Sequence, residues 1–401
     1  MPAEQPDSPD SSLKPPAGEP VAGRDRPAPD EEEAYPPAAS EQTEPRAYAA
    51  PAPFITELPG ESESSSSSAL PEGLIVLNDG GSDPNQPFPN GAGAPDAKGE
   101  HPPVNYHAYA ACTAGSFLRD AARIAPGQQS VLLLLRRDLK RCLKTMEALQ
   151  ATGRRVAVSL KESGSHQVAA LLGDAGRLAL FREICARADA CLSSTPDLIP
   201  LYRGAGGRRV EFIPTPYPVD SPAWDFSRPL SERRGIFIGT REFDVPSRNH
   251  LAALLAVQSL GVPATVINSD GRAGRRLLAA LGFGGLRVVE GKLDYASYLR
   301  LMAEHRLVFQ LDRSAVPGQV AGDALLCRVP CVGGDGAVER IAFPTFSGYG
   351  RETATLVEEA ARLLQDDAAC LAATEESQRL AREKLSFTEG AHRLGAFFGS
   401  L

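Results

Sequence analysis

Two glycine-containing loops in the second half of the chain carry residues that could bind a phosphate ester. The first loop includes Gly239 and Arg241, directly after the apolar run at 236–238, and Arg248 precedes the next amphipathic segment. Free backbone N–H groups, the positive end of a helix dipole and a cationic side chain together suit a diphosphate. The alternative is that Arg241 and Arg248 form surface ion pairs with the two acidic residues between them, and this loop alone leaves both interpretations open.

The second loop follows the apolar run at 307–311 and leads into a predicted helix at Gly318. Gln319 is the next residue, and Asp323 lies one helical turn further on, near the same end of the predicted strand. A carboxylate in that place can accept hydrogen bonds from both hydroxyls of a ribose, so the loop is predicted to bind a nucleotide. Glu339 follows a glycine-rich stretch, where it would either contact the same ligand or cap a helix.

Glu162 and His166 are the candidates for proton chemistry in the first half of the chain. Both follow the predicted strand at 156–160, and either side chain could orient a substrate hydroxyl or take its proton. A lone histidine at a helix start is more often a capping or surface residue, and that alternative stays open for both positions.

Composition argues against several other kinds of site. The chain has seven cysteines and six histidines without metal-ligand spacing, so no metal is predicted and the cysteines are expected to be buried free thiols in a reducing cytoplasm. The basic residues are spread out and have no aromatic partners, which argues against nucleic-acid binding. No apolar run reaches the ~20 residues of a membrane-spanning helix, and the N-terminus lacks a signal-peptide pattern. The predicted location is the cytoplasm, with a peripheral position at a membrane left open.

The elements that must position these residues alternate in type after residue 104. Short apolar runs are separated by longer amphipathic segments, the pattern of β-α units that build a parallel sheet. A second series of such units begins at residue 235, and a proline-rich segment without periodicity joins the two series. The sequence therefore predicts two Rossmann-like α/β domains, at 104–217 and 235–401, with a linker at 218–234. Ligands of such sheets bind at the carboxyl ends of the strands.

Residues 1–100 differ from the rest of the chain in charge and composition. They contain 19 of the 34 prolines and carry 19 acidic against 5 basic side chains, whereas the remainder carries 31 acidic against 37 basic. A segment so rich in proline, serine and glutamate buries too little apolar surface to offset its ordering entropy. We therefore predict a disordered tail over 1–100, in which 73–77 is a strand-like island.

The stretch from Ser314 to Gly334 resembles the donor-binding segment of GT-B fold glycosyltransferases, in particular the retaining, metal-independent enzymes of glycosyltransferase family 4. Gly318 matches the glycine of their acidic motif and Asp323 its second acid, whereas Ala315 stands in place of the first acid. The similarity runs in order along the chain from about 188 to 398, and this order is more specific than any single motif.

The resemblance divides the candidate residues between two sides of one site. The basic diphosphate loop of the family corresponds here to residues 239–248, and the segment whose backbone holds the nucleobase corresponds to the surroundings of Leu293. Glu162 and His166 fall on the acceptor side. The donor side consists of Gly239, Arg241, Arg248, Leu293, Gly318, Gln319, Asp323 and Glu339.

The resemblance implies one function and leaves two rivals. The expected protein is a glycosyltransferase that moves a sugar from a UDP-, GDP- or ADP-sugar to the hydroxyl of an acceptor, such as a glycan or a lipid-linked sugar. Transfer is expected to proceed with retention, without metal or another cofactor. Ala315 and the small first domain instead favour a degenerate scaffold of the same fold that binds a nucleotide or a protein partner. A nucleotide-sugar epimerase on the same two-domain plan is the third interpretation.

Overall fold

The first part of the chain builds a mostly parallel sheet whose short strands are separated by helices. The computed structural model describes residues 73–97, 100–239 and 242–401. The strands of this first lobe are β1 (Ile75–Leu77), β2 (Gln86–Pro87), β3 (Ser116–Leu118), β4 (Ser130–Leu135), β5 (Arg155–Leu160), β6 (Ala190–Ser193) and β7 (Val210–Phe212). Its helices are α1 (Tyr106–Cys112), α2 (Leu139–Ala151), α3 (Ser165–Leu172), α4 (Ala175–Arg187) and α5 (Ile199–Gly204).

The second lobe repeats this plan with five strands among the described residues. Its strands are β8 (Ile236–Ile238), β9 (Ala264–Asn268), β10 (Leu286–Glu290), β11 (Leu307–Gln310) and β12 (Cys331–Gly333). Its helices are α6 (His250–Ser259), α7 (Gly271–Ala280), α8 (Tyr295–Met302), α9 (Gln319–Leu326), α10 (Ala337–Ala342), α11 (Thr353–Gln365) and α12 (Asp367–Lys384), and the last helix, α13 (Phe387–Gly399), returns to the first lobe. None of the helices in the described ranges is long and apolar enough to cross a membrane.

The two sheets have the strand orders expected of doubly wound α/β lobes. The first runs β2-β3-β1-β4-β5-β6-β7, and the second runs β10-β9-β8-β11-β12. All neighbouring strands pair in parallel except β2, which pairs with β3 in the antiparallel sense. Helices cover both faces of the first sheet, so β4 buries all six of its residues and reads as a continuous apolar run. The predicted two-lobe α/β architecture is confirmed.

The predicted tail at 1–100 is wrong for the part that the structure describes. Strand β1 is flanked by β3 and β4 in the middle of the first sheet, and Leu74 to Leu77 are completely buried. The error arose because four apolar residues do not change the average composition of a proline- and glycine-rich stretch. Residues 1–72 and 98–99, the rest of the predicted tail apart from Glu100, lie outside the described residues.

The chain crosses between the lobes twice, and the two crossings touch. Tyr217, on the first crossing, donates its backbone N–H to Leu385 O over 2.7 Å, and it pairs with Ser386 on the second crossing. Helix α13 then packs against the first sheet, where Phe397 and Phe398 are fully buried. The predicted second domain, 235–401, is therefore too long at its end, because its last helix completes the core of the first lobe.

The predicted linker at 218–234 is packed on the body of the protein. Trp224 is only 2% exposed, and its indole N–H donates to Gly93 O over 3.1 Å. Phe226 N donates to Leu326 O over 2.9 Å, which fixes the segment to the end of α9. The segment forms only two short 3₁₀ helices, Pro222–Trp224 and Leu230–Glu232, but its aromatic side chains still find apolar partners.

Candidate functional site

A cleft of about 430 Å³ lies between the lobes, at the carboxyl ends of both sheets. The first lobe lines it with the segment that leads into α1 and with the loop after β5. The second lobe lines it with the loops after β8 and β11 and with the start of α9. Such a position, where strand ends of parallel sheets converge, is where α/β folds bind their ligands.

Gly318 is the residue on which the donor-side loop turns into α9. Its φ of +95° lies in the left-handed region, which an L-residue with a side chain rarely adopts. A Cβ atom there would also lie 2.1 Å from Glu339 Oε2 and 3.0 Å from the Cβ of Val338. Only glycine therefore allows this loop to pass so close to Glu339. The first turn of α9, where backbone N–H groups lack partners within the helix, lines the cleft.

Asp323 faces the cleft from the second turn of α9 and is held in one orientation. Its carboxylate accepts a hydrogen bond from the hydroxyl of Tyr295, at the start of α8, and only 1% of the residue is exposed. Gly322 beside it packs directly on the ring of Tyr217, because a Cβ at residue 322 would overlap that ring. A carboxylate fixed in this way can accept hydrogen bonds from neighbouring hydroxyls of a ligand without first losing side-chain entropy.

Glu339 is a buried acid at the floor of the cleft. Its Oε1 accepts a hydrogen bond from Gln310 Nε2 over 2.8 Å, whereas Oε2 has no partner in the described part of the chain. Burial raises the pKa of this carboxyl to about 8, since the surrounding protein cannot solvate a carboxylate. A pKa of about 8 favours the protonated form at neutral pH, in which the carboxyl group carries a hydrogen-bond donor.

Arg248 and Gly239 belong to the loop that was predicted to bind a diphosphate. The Arg248 guanidinium is 3.1 Å from Glu242 Oε2 and 3.5 Å from Asp312 Oδ2, so it forms ion pairs on the cleft wall. Gly239 approaches α9 closely, because a Cβ there would lie 2.5 Å from the Val320 side chain. Both residues line the cleft, and Arg241 lies outside the described residues.

No family model matches the chain, and no curated protein matches it. Solved structures do match its fold. HepE from Anabaena, in complex with UDP and glucose, has a TM-score of 0.51 at 16% identity and covers 67% of this chain and 78% of that one. A trehalose-6-phosphate synthase, studied for glycosyl transfer with retention, has a TM-score of 0.54 at 12% identity, with coverages of 70% and 76%. Sucrose-phosphate synthase from Thermosynechococcus elongatus has a TM-score of 0.52 at 15% identity, with coverages of 82% and 98%.

The chain has the GT-B fold. Identities of this size show the architecture alone, so the roles of individual residues depend on the geometry of the cleft. Within the GT-B cleft, seven of the ten predicted site residues line one cavity. They are Glu162, Gly239, Arg248, Gly318, Gln319, Asp323 and Glu339.

His166 does not line the GT-B cleft, although Glu162 does. His166 Nδ1 lies 3.2 Å from the hydroxyl oxygen of Ser247 in the second lobe. That hydroxyl lies 2.7 Å from Ser314 Oγ. Glu162 accepts a hydrogen bond of 3.1 Å from Gln167 Nε2. The helix start at α3 thus turns the imidazole towards the facing lobe, where it bridges the two lobes instead of reaching the cavity.

Leu293 also lies outside the cavity. Its side chain is partly buried against the apolar core of the second lobe, one residue before Asp294 caps α8. Burial in the apolar core is more favourable in free energy for a leucine side chain than contact with a polar cleft. The segment could still approach a ligand through its backbone, which is the role that the resemblance assigned to it.

Several polar residues of the first lobe line the cleft although the sequence did not reveal them. Asp83 lines the cleft and forms an ion pair of 3.1 Å with Lys161, and it belongs to the loop after β1. The glycine pair at 80–81, shortly after the apolar island, was the available signal, but it lay within the predicted tail. Asn105 donates to Gln319 Oε1 over 2.9 Å, and this contact joins residues too far apart in sequence for a motif to reveal.

His107 is a third missed residue of the cleft. It is 4% exposed and stacked between the rings of His101 and Phe117, at centroid distances of 3.8 and 3.7 Å. Burial lowers its pKa to about 3, so the imidazole is neutral near pH 7. The first-lobe wall therefore offers the neutral His107 ring, the Asp83–Lys161 ion pair and the Glu162 carboxylate to a ligand.

Metal binding has no visible support in the part of the chain that the structure describes. No group of three or more histidine, cysteine, aspartate or glutamate side chains there has a geometry that could hold an ion. All seven cysteines are free, and six of them are buried. Metal independence stays a prediction.

Proposed function

We propose that this protein is a glycosyltransferase that moves a sugar from a nucleotide-sugar donor to an acceptor hydroxyl. The observation that carries the proposal is the juxtaposition of Gly318, Asp323 and Glu339 at one end of the GT-B cleft. A left-handed glycine opens the N-terminus of α9, a fixed carboxylate follows one turn later, and a neutral acid lies beneath both. These groups match the diphosphate, the ribose and a hydroxyl of a nucleotide sugar.

The solved structures with this fold support a uridine nucleotide as the first donor to test. HepE was solved with UDP and glucose, and a trehalose-6-phosphate structure from E. coli was solved with UDP-2-fluoro glucose. In our proposal Asp323 accepts the ribose hydroxyls, the N–H groups of α9 face the diphosphate, and protonated Glu339 donates to an oxygen of the bound donor. Arg248 contributes positive charge once the diphosphate competes with Glu242 for its guanidinium.

The reaction breaks the bond between the anomeric carbon and the diphosphate and forms a bond from that carbon to the acceptor oxygen. The acceptor proton leaves with the nucleoside diphosphate or through Glu162, the first-lobe carboxylate that lines the cleft. Transfer with retention remains part of the proposal, supported by the structural likeness to an enzyme studied for retention. Metal independence is proposed from the sequence resemblance alone. The proposal places this reaction in the cytoplasm.

Ala315 is the observation that favours the second candidate, a scaffold that binds a nucleotide without catalysis. It replaces the first acid of the family motif, and it adopts a φ of +49° while its N–H donates to Asp335 Oδ1 over 2.8 Å. This contact brings a carboxylate to the same loop from the following strand end. Turnover separates the two candidates, because both bind nucleotide but only the enzyme consumes a donor sugar in an acceptor-dependent way.

Thermal unfolding of the full chain with UDP, GDP, ADP and UDP-glucose tests the proposal. One nucleotide is expected to raise the unfolding temperature by several degrees, since a ligand that binds only the folded state stabilises it. Asp323→Asn should reduce this shift, whereas Asp220→Asn, at a half-exposed surface carboxylate, should not. A folded wild-type protein that no nucleotide stabilises would refute the proposal, and equal shifts in both variants would refute the assigned ribose contact.

A further inference from the structure

A second cavity adjoins the cleft on the first-lobe side. It has a volume of about 560 Å³ and shares Lys161, Glu162 and Gln167 with the cleft. Its other boundaries are the loops at the carboxyl ends of β1 and β4, the start of α2 and one face of α3. The loop after β5 and the start of α3 therefore separate the two cavities and line both of them.

The acidic side chains of this second cavity are already engaged. Asp79 accepts two hydrogen bonds from Arg141, at 2.7 and 2.9 Å, and a third from Thr145. Asp138 caps α2 by accepting from Arg141 N over 3.0 Å, and Glu162 accepts from Gln167. Because each carboxylate already accepts hydrogen bonds from the protein, it has less tendency to bind an external cation.

Two guanidinium groups of the second cavity have no such partner. Arg136 and Arg137 follow β4, and neither forms an ion pair or a side-chain hydrogen bond with another described residue. Arg136 is half-buried and Arg137 is exposed. Arg141 and Lys161, which also line the second cavity, are in contrast already paired, Arg141 with Asp79 and Lys161 with Asp83.

The position of these two arginines distinguishes them from an ordinary solvated helix face. Lys140 and Lys144 lie on the exposed side of α2 and do not line the cavity, although they carry the same charge within a few residues. Arg136 and Arg137 instead lie at a strand end, beside a cavity of small-molecule size. Two adjacent guanidinium forks can bind the oxygens of a phosphate monoester through several charge-assisted hydrogen bonds.

We propose that the second cavity binds the acceptor, and that the acceptor carries a phosphate monoester held by Arg136 and Arg137. This proposal rests on the proposed function, since it names the class of acceptor for that reaction. The phosphate lies at the far end of the second cavity, and the remainder of the acceptor extends past Lys161 to place a hydroxyl near Glu162. The chemistry is the same for a soluble sugar phosphate and for the headgroup of a phospholipid.

Calorimetric titration of the full chain tests this assignment. The probes are inorganic phosphate, glucose 6-phosphate and its uncharged counterpart glucose, each at fixed ionic strength, with UDP titrated separately. Arg136→Ala/Arg137→Ala should weaken glucose 6-phosphate binding at least about tenfold, because it removes charge-assisted hydrogen bonds. Lys140→Ala/Lys144→Ala removes the same charge outside the cavity and should leave the affinity within about twofold of wild type.

The outcomes separate this proposal from the proposed function. Equal losses in the two double variants, or glucose binding as tightly as glucose 6-phosphate, would overturn the phosphate site while UDP binding still supported the transferase. Absence of UDP binding would overturn the proposed function even if phosphate bound. Sedimentation with phosphatidylcholine vesicles that contain phosphatidic acid identifies which kind of molecule carries the phosphate. Vesicle binding that is lost only in the arginine variant indicates a lipid-linked acceptor. Absence of vesicle binding in the wild type indicates a soluble acceptor.

Discussion

The carboxyl group of Glu339 accepts a hydrogen bond of 2.8 Å from Gln310 Nε2, and both residues belong to the floor of the GT-B cleft. Three glycines surround this carboxyl, since a Cβ at Gly318, Gly334 or Gly336 would lie within 2.1 to 2.9 Å of one of its oxygens. Main chain thus encloses the acid from several sides, and water cannot solvate a negative charge there. The raised pKa follows from this enclosure.

Replacement of Glu339 by glutamine should change the pH dependence of stability. The pKa of about 8 in the folded state lies above the ordinary value of 4.5, so the folded protein binds this proton more tightly than the unfolded chain does. The free energy of unfolding of the wild type should therefore fall as pH rises from about 4.5 to about 8, by a few kcal/mol from this group. Glu339→Gln has no charge to bury, and its advantage over wild type should grow across this range and level off above it.

Urea unfolding at pH 5, 7 and 8.5 measures this difference, with the exposed Glu375→Gln as a control. Parallel stability curves for wild type and Glu339→Gln would contradict a protonated acid in the cleft. UDP affinity provides a second readout, since the amide keeps a hydrogen-bond donor. It should decline above pH 8 in wild type but stay level in the glutamine variant.

Gly318→Ala tests whether the loop before α9 depends on the close approach to Glu339. Gly282 provides a matched control, because its φ of +60° is also left-handed but a Cβ there would have no neighbouring atom within 4 Å. Gly282→Ala should cost about 1 kcal/mol of unfolding free energy through backbone strain alone. Gly318→Ala should cost more and should also weaken UDP binding, because the added methyl group must displace the Glu339 carboxyl.

Both glycine variants can be compared by urea unfolding and by UDP titration. Equal stability costs would show that the carboxyl moves aside freely, and normal UDP affinity in Gly318→Ala would remove this loop from the donor site.

Val76→Asp tests the corrected position of β1 in the first sheet. Val76 is completely buried between β3 and β4, so an aspartate there would place an unpaired charge in the core. Val288→Asp introduces the same change on β10, an edge strand of the second sheet, where the side chain is 36% exposed. We expect the first variant to lose cooperative unfolding, as followed by circular dichroism, and the second to cost about 1 kcal/mol. Equal effects would contradict the central placement of β1.

Strands that follow a repeated β-α pattern could be predicted from sequence, whereas β1 could not. The second lobe shows this well, because the predicted runs at 236–238 and 307–311 coincide with β8 and β11 to within one residue. Amphipathic helices on either side mark such runs as buried strands. Residues 74–77 have no such flanks, and their pairing with β3 and β4 is a long-range property that local composition does not report.

The same distinction holds for the candidate site, where residues that follow predicted strands could be predicted and contacts between distant parts of the chain could not. Gly318 and Asp323 follow the predicted strand at 307–311, and Glu339 follows a glycine-rich stretch, so their common position at one sheet edge could be inferred. The direction of a side chain was harder to predict, since His166 bridges to Ser247 instead of entering the cleft. Asn105 had no signal at all, because its role depends on a partner in the other lobe.

Asn105 adopts a strained backbone while it forms a hydrogen bond across the cleft, and substitutions can separate these two properties. Its φ of +51° and ψ of −131° lie in a region that glycine tolerates and other residues avoid, and its side-chain amide contacts Gln319. Asn105→Ala keeps the strain and loses the contact, whereas Asn105→Gly loses both. The glycine variant should therefore be more stable than the alanine variant by about 1–2 kcal/mol in urea unfolding. Both variants should weaken UDP binding equally, because neither can bridge to Gln319 across the cleft. Equal stabilities would show that the backbone of residue 105 relaxes freely, and wild-type UDP affinity in both would show that UDP binding does not depend on this bridge.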